Sequence, residues 1–574
     1  MSLYKSLFKQ TAIYGIATVL PRIISFILNP IFVYYLTDKE KMGEVSVIFS
    51  YLVFFNVILS YGMETAFFRF YNSEENKGKV ISTSIISLFW STIGFLAIFL
   101  LFRKNLANWS EINVEYIVFT IWILALDALA IIPFSKIRAE GRPIKYAVIK
   151  ISNVLINLLL NVFFLILLPN LANESSNPFI QTIYHDDFQI GYIFVANLIA
   201  SLVTLLFVLP DYFKIKWQFD ADLWKKMMQY GLPILVAGIA FAINEHFDKI
   251  LLDWMQVDMA DIGAYSACYK IGMFMVLFRT AYTLGIEPFF FSHAKNENAP
   301  QTYATITKYF VIFGSFICLG VIVFADILKL ILVPKETYWD AMDVVPLIVL
   351  ANFFLGIYTN LSVWYKLIDK TRIGAYISIV GAIVTLVLNL LLIPIISYMG
   401  SAIATILAYG AMMFISYYMG QKKYPIPYDK KSIFTYLGLA IVLSGISFYV
   451  PILRVEQFAI SPDSIPLFST EPAAKCRERN MVNGYVSLFA FGAYPTIDLQ
   501  KNDFKNLSTL TNSIFASSEK VQLTQLKITL YGVCQSMRIF WSLDLRIVTS
   551  SFVVKSVSLI NVISITCALK SLSI

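Results

Sequence analysis

Between Thr11 and Val450 the apolar residues fall into about thirteen runs, each close to the ~20 residues that one helical crossing of a bilayer needs. The runs cover approximately 11–36, 45–68, 80–102, 115–134, 146–168, 189–210, 228–252, 265–291, 306–333, 342–365, 373–396, 400–418 and 433–451. They lack the two-residue alternation of barrel strands and are about twice as long, so the pattern predicts helices. The connections alternate in charge. Arg69, Lys77 and Lys79, then Lys136, Arg138, Arg142 and Lys145, then Lys214, Lys216, Lys225 and Lys226 occupy even-numbered connections. So do Lys366, Lys370 and Arg372, and Lys422, Lys423, Lys430 and Lys431. Positive connections are retained in the cytoplasm, which also places Lys5, Lys9 and the amino terminus on that side. The longest opposite connection, Pro169 to Gln189, carries Glu174, Asp186 and Asp187 without Lys or Arg and is expected as an outer loop. Met1 to Lys9 reads as an amphipathic lead-in on the membrane surface.

Composition agrees with this solvent. The 574 residues are 58% hydrophobic and 14% charged, and mean hydropathy is +0.69. Soluble multi-domain architectures are excluded on that ground. The net charge of +8 lies beside membrane segments, so it points to orientation and anionic lipid rather than to nucleic acid. Cys268, Cys318, Cys476, Cys534 and Cys567 show no ligand spacing, and His185, His246 and His293 are dispersed, so no metal site and no cofactor is expected. His185, Asp186 and Asp187 read as a solvated loop. Pro21, Pro30, Pro233, Pro288, Pro346 and Pro394 lie within or near the ends of runs, as kinks or as ordinary packing.

The chain also repeats. The segment from Lys136 aligns with that from Lys366, pairing Arg142 with Arg372 and Tyr146 with Tyr376. KMGEVSV at Lys41 aligns with DIGAYSA at Asp261, pairing Gly43 with Gly263, and GMETAFF at Gly62 aligns with GIEPFFF at Gly285, pairing Glu64 with Glu287. Every match is offset by six runs. An even offset preserves orientation, so the fold class expected is an all-α polytopic membrane protein with two six-helix lobes in parallel repeat, 1–215 and 216–425, plus a thirteenth helix over 426–453.

Asp248, Lys249, Gly263, Tyr265, Ser266, Tyr269 and Lys270 stand in the stretch DKILLDWMQVDMADIGAYSACYKI. That stretch resembles the seventh-to-eighth helix region of polysaccharide exporters in the multidrug/oligosaccharidyl-lipid/polysaccharide superfamily, especially Wzx-type lipid-linked-oligosaccharide flippases. The first-lobe counterpart, with Gly43 and Ser46, is looser, since Val45 replaces the usual aromatic. The resemblance implies a MATE-like fold, alternating access, and a transporter rather than an enzyme. Its implied cargo is a polyprenyl-pyrophosphate-linked oligosaccharide for cell-surface polysaccharide such as O-antigen of lipopolysaccharide. It further implies a bacterial plasma membrane, with membrane lipids, a glycan polymerase and export machinery as partners. A cation-coupled multidrug exporter of the same fold and a membrane glycan polymerase are the alternatives. The short outer loops argue against the second.

Four charges fall at membrane depth, Arg22, Asp127, Glu245 and Arg279. Each costs about 2.5–3.5 kcal/mol against lipid, so all four are expected to face a cavity or a partner. Arg22 and Arg279 have the planar donors that suit a pyrophosphate, or they pair internally with Glu245 or Asp127. Asp127 or Glu245 would supply a coupling proton or cation site. Glu64, Arg69 and Glu287 are gate candidates or local caps, and Asp248 with Lys249 reads as a local ion pair near the outer surface. Beyond Val450 the pattern ends. Residues 454–574 contain TEPAAKCRERNMVNG, which no span could hold, and Lys555 interrupts the apolar piece Ser551 to Leu569. An appended domain is one reading. A disordered or frameshifted, wrongly joined end is the favoured one, because no local rule there agrees with another.

Overall fold

The computed structural model describes residues 3–174, 178–294, 296–368 and 370–449. The tail from residue 450, with Cys476, Cys534 and Cys567 and both readings of its origin, lies outside them. The helices in the first part of the chain are α1 (Leu3–Tyr35), α2 (Lys39–Ser60), α3 (Met63–Ser73), α4 (Lys77–Leu101), α5 (Arg103–Ser110), α6 (Val114–Ala139), α7 (Pro143–Val162), α8 (Leu168–Glu174), α9 (Pro178–Ile183), α10 (Gln189–Val208) and α11 (Pro210–Phe213). The remainder are α12 (Ala221–Trp254), α13 (Met259–His293), α14 (Ala299–Val323), α15 (Ala325–Leu332), α16 (Val344–Leu361), α17 (Val363–Leu367), α18 (Arg372–Lys423) and α19 (Lys430–Tyr449).

Ten helical stretches among the described residues are long and apolar enough to cross a membrane. Adding α1, α13 and the second limb of α18 assigns a helix to each of the thirteen apolar runs. Two boundaries differ from expectation. The first helix is continuous from Leu3, so there is no separate lead-in. The Pro169–Gln189 connection is not a plain loop, because α8, α9 and a turn at Asp186–Phe188 occupy it. Tyr192 pins that turn, donating to the Ile183 carbonyl and accepting from the His185 amide.

α18 is a hairpin. Ser401 donates to Asn389 twelve residues earlier, a gap of about 18 Å in a straight helix. Pro394 lacks the amide that would continue the first limb, and Ile396 and Ser397 leave helical geometry. Ser397 holds φ 50° and ψ −138°, a region that glycine enters without penalty. Its buried hydroxyl also has no hydrogen-bond partner among the described residues. Ser397→Gly should therefore raise stability by about 1 kcal/mol, read as a higher Tm of the detergent-solubilised protein.

Packing fixes which helices can line a common space. α1 lies on α7, α10 on α6 and α7, and α4 on α6; α12 and α16 lie on α18, α13 on α16, and α14 on α16 and α19. The two sets meet where α2 crosses α12 and α13, α3 meets α12, and α1 meets α13. At the α2–α13 crossing the backbones touch. A Cβ on Gly43 would sit 2.1 Å from the Met259 carbonyl oxygen, and one on Gly263 would sit 2.0 Å from the Lys39 carbonyl oxygen. Lys39 and Met259 are as far apart in sequence as Gly43 and Gly263, so the contact is reciprocal in the manner of a two-fold interface. This crossing lies at the end of the bundle that carries the acidic connections. Toward the basic end, Gly62 (φ 71°) breaks α2 from α3 and packs its α-carbon against the Gly231 carbonyl.

Beside the glycine crossing, the α14–α16 connection reaches over to the α1–α2 turn. Lys335 donates to the Leu36 carbonyl at 2.8 Å and Asn29 to the Leu332 carbonyl at 2.8 Å. Lys39 pairs with Asp340 at 3.2 Å. These bonds close the acidic end in this conformation.

Candidate functional site

The charged group at the centre is built by α1, α12 and α13. Arg279 of α13 donates from Nη2 to Glu245 Oε1 of α12 at 3.0 Å, and both side chains are largely buried. Arg279 Nε is buried with no hydrogen-bond partner among the described residues. Arg22 of α1 donates to Thr280 Oγ1, one residue beyond Arg279. Thr280 is free to accept because its own hydroxyl proton is spent on the Val276 carbonyl one turn back. Arg22 also feels the opposite charge of Glu245 and the like charge of Arg279. One turn along, Phe26 packs its ring 5.0 Å from Phe274 and holds α1 to α13. Glu245 further approaches His246 Nε2 at 3.8 Å.

Arg22, Glu245 and Arg279, named from sequence as separate intramembrane charges, thus form one constellation. Of the expected internal pairings, the one between Arg279 and Glu245 is present. Asp127 is not part of it. On α6 it lies beside Ser201 of α10 and near Lys150 of α7.

Asp248 and Lys249 do form the local pair, with Lys249 Nζ 3.1 and 3.2 Å from the two carboxylate oxygens. Asp248 is 5% exposed, because α13 covers the pair. Tyr265 donates to Asp248 Oδ2 at 2.7 Å and the Tyr269 ring lies 4.4 Å from Lys249 Nζ. The motif residues therefore have distinct places. Gly263 makes the backbone crossing, Ser266 is buried, Tyr265 and Tyr269 sheath the ion pair, and Lys270 is half-buried beside Lys249.

The gate candidates divide. Glu64 pairs with Arg138 of α6 at 3.0 Å, well exposed and without crossing to α12 or α13. Arg69 does reach across, with its guanidinium 4.2 Å from the Tyr230 ring centroid of α12. The side chain of Glu287 lies outside those described.

Lys150 was not anticipated from sequence. Ile144, Val148, Leu155 and Leu159 mark the exposed apolar face of α7. Lys150, Asn153, Asn157 and Asn161 follow at helical spacing on the opposite face. Asn153 there bonds Thr204 of α10 at 2.9 Å and Asn161 bonds Asn157 at 3.0 Å. That polar periodicity was available in the sequence. Scanning for apolar runs averages it away.

Comparison with known proteins adds lineage. The family described as "Polysaccharide biosynthesis protein" matches residues 7–291, and the family described as MatE matches residues 233–391. No curated protein matches. Among solved structures, the chain resembles "Lipid II flippase MurJ, inward closed conformation" with TM-score 0.62 at 13% identity, over 83% of this chain and 97% of that one. It also resembles an inward-facing multidrug resistance MATE family transporter of the MOP superfamily, with TM-score 0.55 at 12% identity over 70% and 94% of the two chains. A further likeness is to a MOP superfamily transporter from Pyrococcus furiosus whose title reports reverse polarity of its binding pocket, with TM-score 0.51 at 13% identity over 72% and 95%. These likenesses to solved structures establish the fold.

Proposed function

For a chain that belongs to the multidrug/oligosaccharidyl-lipid/polysaccharide superfamily, as this one does, we propose the role of a flippase. It moves a polyprenyl-pyrophosphate-linked oligosaccharide from the cytoplasmic to the outer leaflet for cell-surface polysaccharide synthesis. The observation that carries this reading is the meeting of Arg22 and Arg279 from opposite halves of the chain around one acid, with Arg279 Nε left over. A buried unsatisfied donor costs about 1–3 kcal/mol, and phosphate oxygens would recover it through charge-assisted bonds. A pyrophosphate head group would take donors from both arginines, while Glu245 holds Arg279 in place when the cavity is empty.

In this reading residues 1–215 and 216–425 are the two rocking lobes and α19 stands outside them. The basic end is cytoplasmic, together with the amino terminus, in a bacterial inner membrane. Closure at Gly43 and Gly263 would be kept while the basic end, held by Gly62 against Gly231 and Arg69 against Tyr230, opens to admit substrate from inside. Arg69 against Tyr230 sits where lobe movement would rearrange it, whereas Glu64 with Arg138 would travel within one lobe, and Asp127 with Glu245 are the carboxylates available for coupling. A polymerase would act on the delivered glycolipid.

Arg22→Ala and Arg279→Ala, each assayed for surface glycan at matched membrane levels, test the assignment. Each should cut export at least tenfold. Full export by both variants removes the head-group role.

A further inference from the structure

At the basic end a groove opens between α4 of the first half and the start of α12 in the second. Tyr61, Ser87 and Trp90 stand on one wall and Phe219, Trp224 and Met228 on the other, around a cavity of about 620 Å³. That size is ordinary for a small-molecule site. Trp224 Nε1 donates to Ser87 Oγ at 2.8 Å, and Tyr61 Oη lies 2.8 Å from the same oxygen. One hydroxyl of the first half thus ties α12 to the α2–α3 break beside Gly62, and the groove keeps this form only while the halves meet here.

The lining is mainly apolar, yet Trp90 is 63% exposed, so the mouth opens to the side of a membrane-crossing bundle, where the surroundings are lipid. Beyond Trp90 the same face of α4 carries Gly94, Ile98 and Leu101. A Cβ on Gly94 would meet nothing within 4 Å, and Ile98 and Leu101 are exposed. Trp90 to Leu101 is about 16 Å along the helix, the depth of one leaflet of a ~30 Å hydrocarbon core. Interfacial tryptophans alone make an aromatic belt; a hollow continued by a glycine gap has the shape of a single chain.

Lysines flank the mouth on both sides. The Lys216 carbonyl accepts from Ser82 of α4 at 2.7 Å, which lays the connection before α12 over that helix. Lys225 follows Trp224 and shares a face of α12 with the exposed Leu232 and Val236. Both lysines are exposed, and among the described residues neither makes an ion pair. The nearby acids do not meet them. Asp220 is held by Lys79 at 3.3 Å and by the Leu223 amide, and Asp222 falls on the side of α12 opposite Trp224. Cations above an apolar hollow suit an anionic head group with its acyl chain. A carrier seated at the arginines does not meet this need. Glu245 is seventeen residues past Met228 on α12, about 26 Å, too far for its pyrophosphate to reach Lys216 and Lys225 as well.

We infer that the groove binds one anionic phospholipid of the leaflet at the basic end, with its phosphate between Lys216 and Lys225 and an acyl chain along Trp90 and Gly94. The lipid lies against both halves at once. The inference does not rest on the flippase reading.

Native mass spectrometry of the full-length protein in detergent tests it, with phosphatidylglycerol, phosphatidylcholine of the same acyl chains and polyprenyl phosphate as probes. The wild type should retain one phosphatidylglycerol at least tenfold more tightly than phosphatidylcholine. Lys216→Gln combined with Lys225→Gln should bring the two lipids to near-equal affinity while leaving phosphatidylcholine as in the wild type. Gly94→Leu, whose Cβ enters open space, should weaken phosphatidylglycerol at least tenfold. Equal retention of both phospholipids by the wild type overturns the inference, as does unchanged phosphatidylglycerol affinity in either variant. Polyprenyl phosphate that displaces phosphatidylglycerol and is itself lost in Gly94→Leu would give the groove to the carrier tail and overturn it equally.

Discussion

Replacing Gly43 by valine should nearly abolish export while leaving the protein in the membrane. The added Cβ would stand 2.1 Å from the Met259 carbonyl oxygen, and backbone cannot turn aside as a side chain does. The helices must separate or the end of the bundle must stay open. Forcing extra atoms into a tight contact costs about 1–3 kcal/mol, roughly a five- to 150-fold shift between closed and open forms. Lys39 and Asp340, 3.2 Å apart when this end is closed, report the shift directly. In a Lys39→Cys, Asp340→Cys background, Gly43→Val should depress the yield of a flexible bis-maleimide cross-link severalfold and Gly43→Ala less so. Unchanged yield in Gly43→Val would show that the crossing does not control closure.

The second large effect concerns the central ion pair. Glu245→Gln and Arg279→Gln each strand one charge among α1, α12 and α13. Breaking a buried pair costs about 3–5 kcal/mol; with some solvent access at both side chains, about 2–4 kcal/mol is expected for each. The double variant should lose less than the sum, because it strands nothing. Thermal unfolding of the four proteins measures the coupling. Export separates structure from recognition: Glu245→Gln keeps the cation proposed to meet the head group and should retain far more export than Arg279→Gln at matched stability. Equal export losses would confine both residues to holding helices together.

The fold was legible because lipid leaves a chain few options. Every backbone group in a crossing must bond within its own helix, so apolar run length maps onto helices α1 to α19 with few exceptions. The hairpin in α18 could be read as two short runs, since Pro394 and the polar Ser397 mark its turn. The site was legible by residue but not by partnership. Burial cost singled out Arg22, Glu245 and Arg279, whereas Thr280, the acceptor for Arg22, looks in sequence like any helix-interior threonine. Asp248 and Lys249 were legible as a local pair, but what covers them was not. Only the register of α12 against α13, which no linear pattern encodes, brings Tyr265 and Tyr269 over them. Lys150 was lost for another reason: polar stripes matter by angle, and a hydropathy scan records only position.

The strap from α14–α16 to the α1–α2 turn also decides how the protein responds to its surroundings. Its one direct ion pair, Lys39 with Asp340, has an acid that is 73% exposed. Pairs of that kind contribute about 0–1 kcal/mol and fade as counter-ions accumulate. The bonds from Asn29 and Lys335 end instead on the carbonyls of Leu332 and Leu36, and the glycine crossing is van der Waals contact. Uncharged acceptors and main-chain packing offer ions little to screen. The closing equilibrium at that end is therefore buffered against osmotic and saline swings, and transport should keep its gating balance across media whose salinity would disable a seal made of charges.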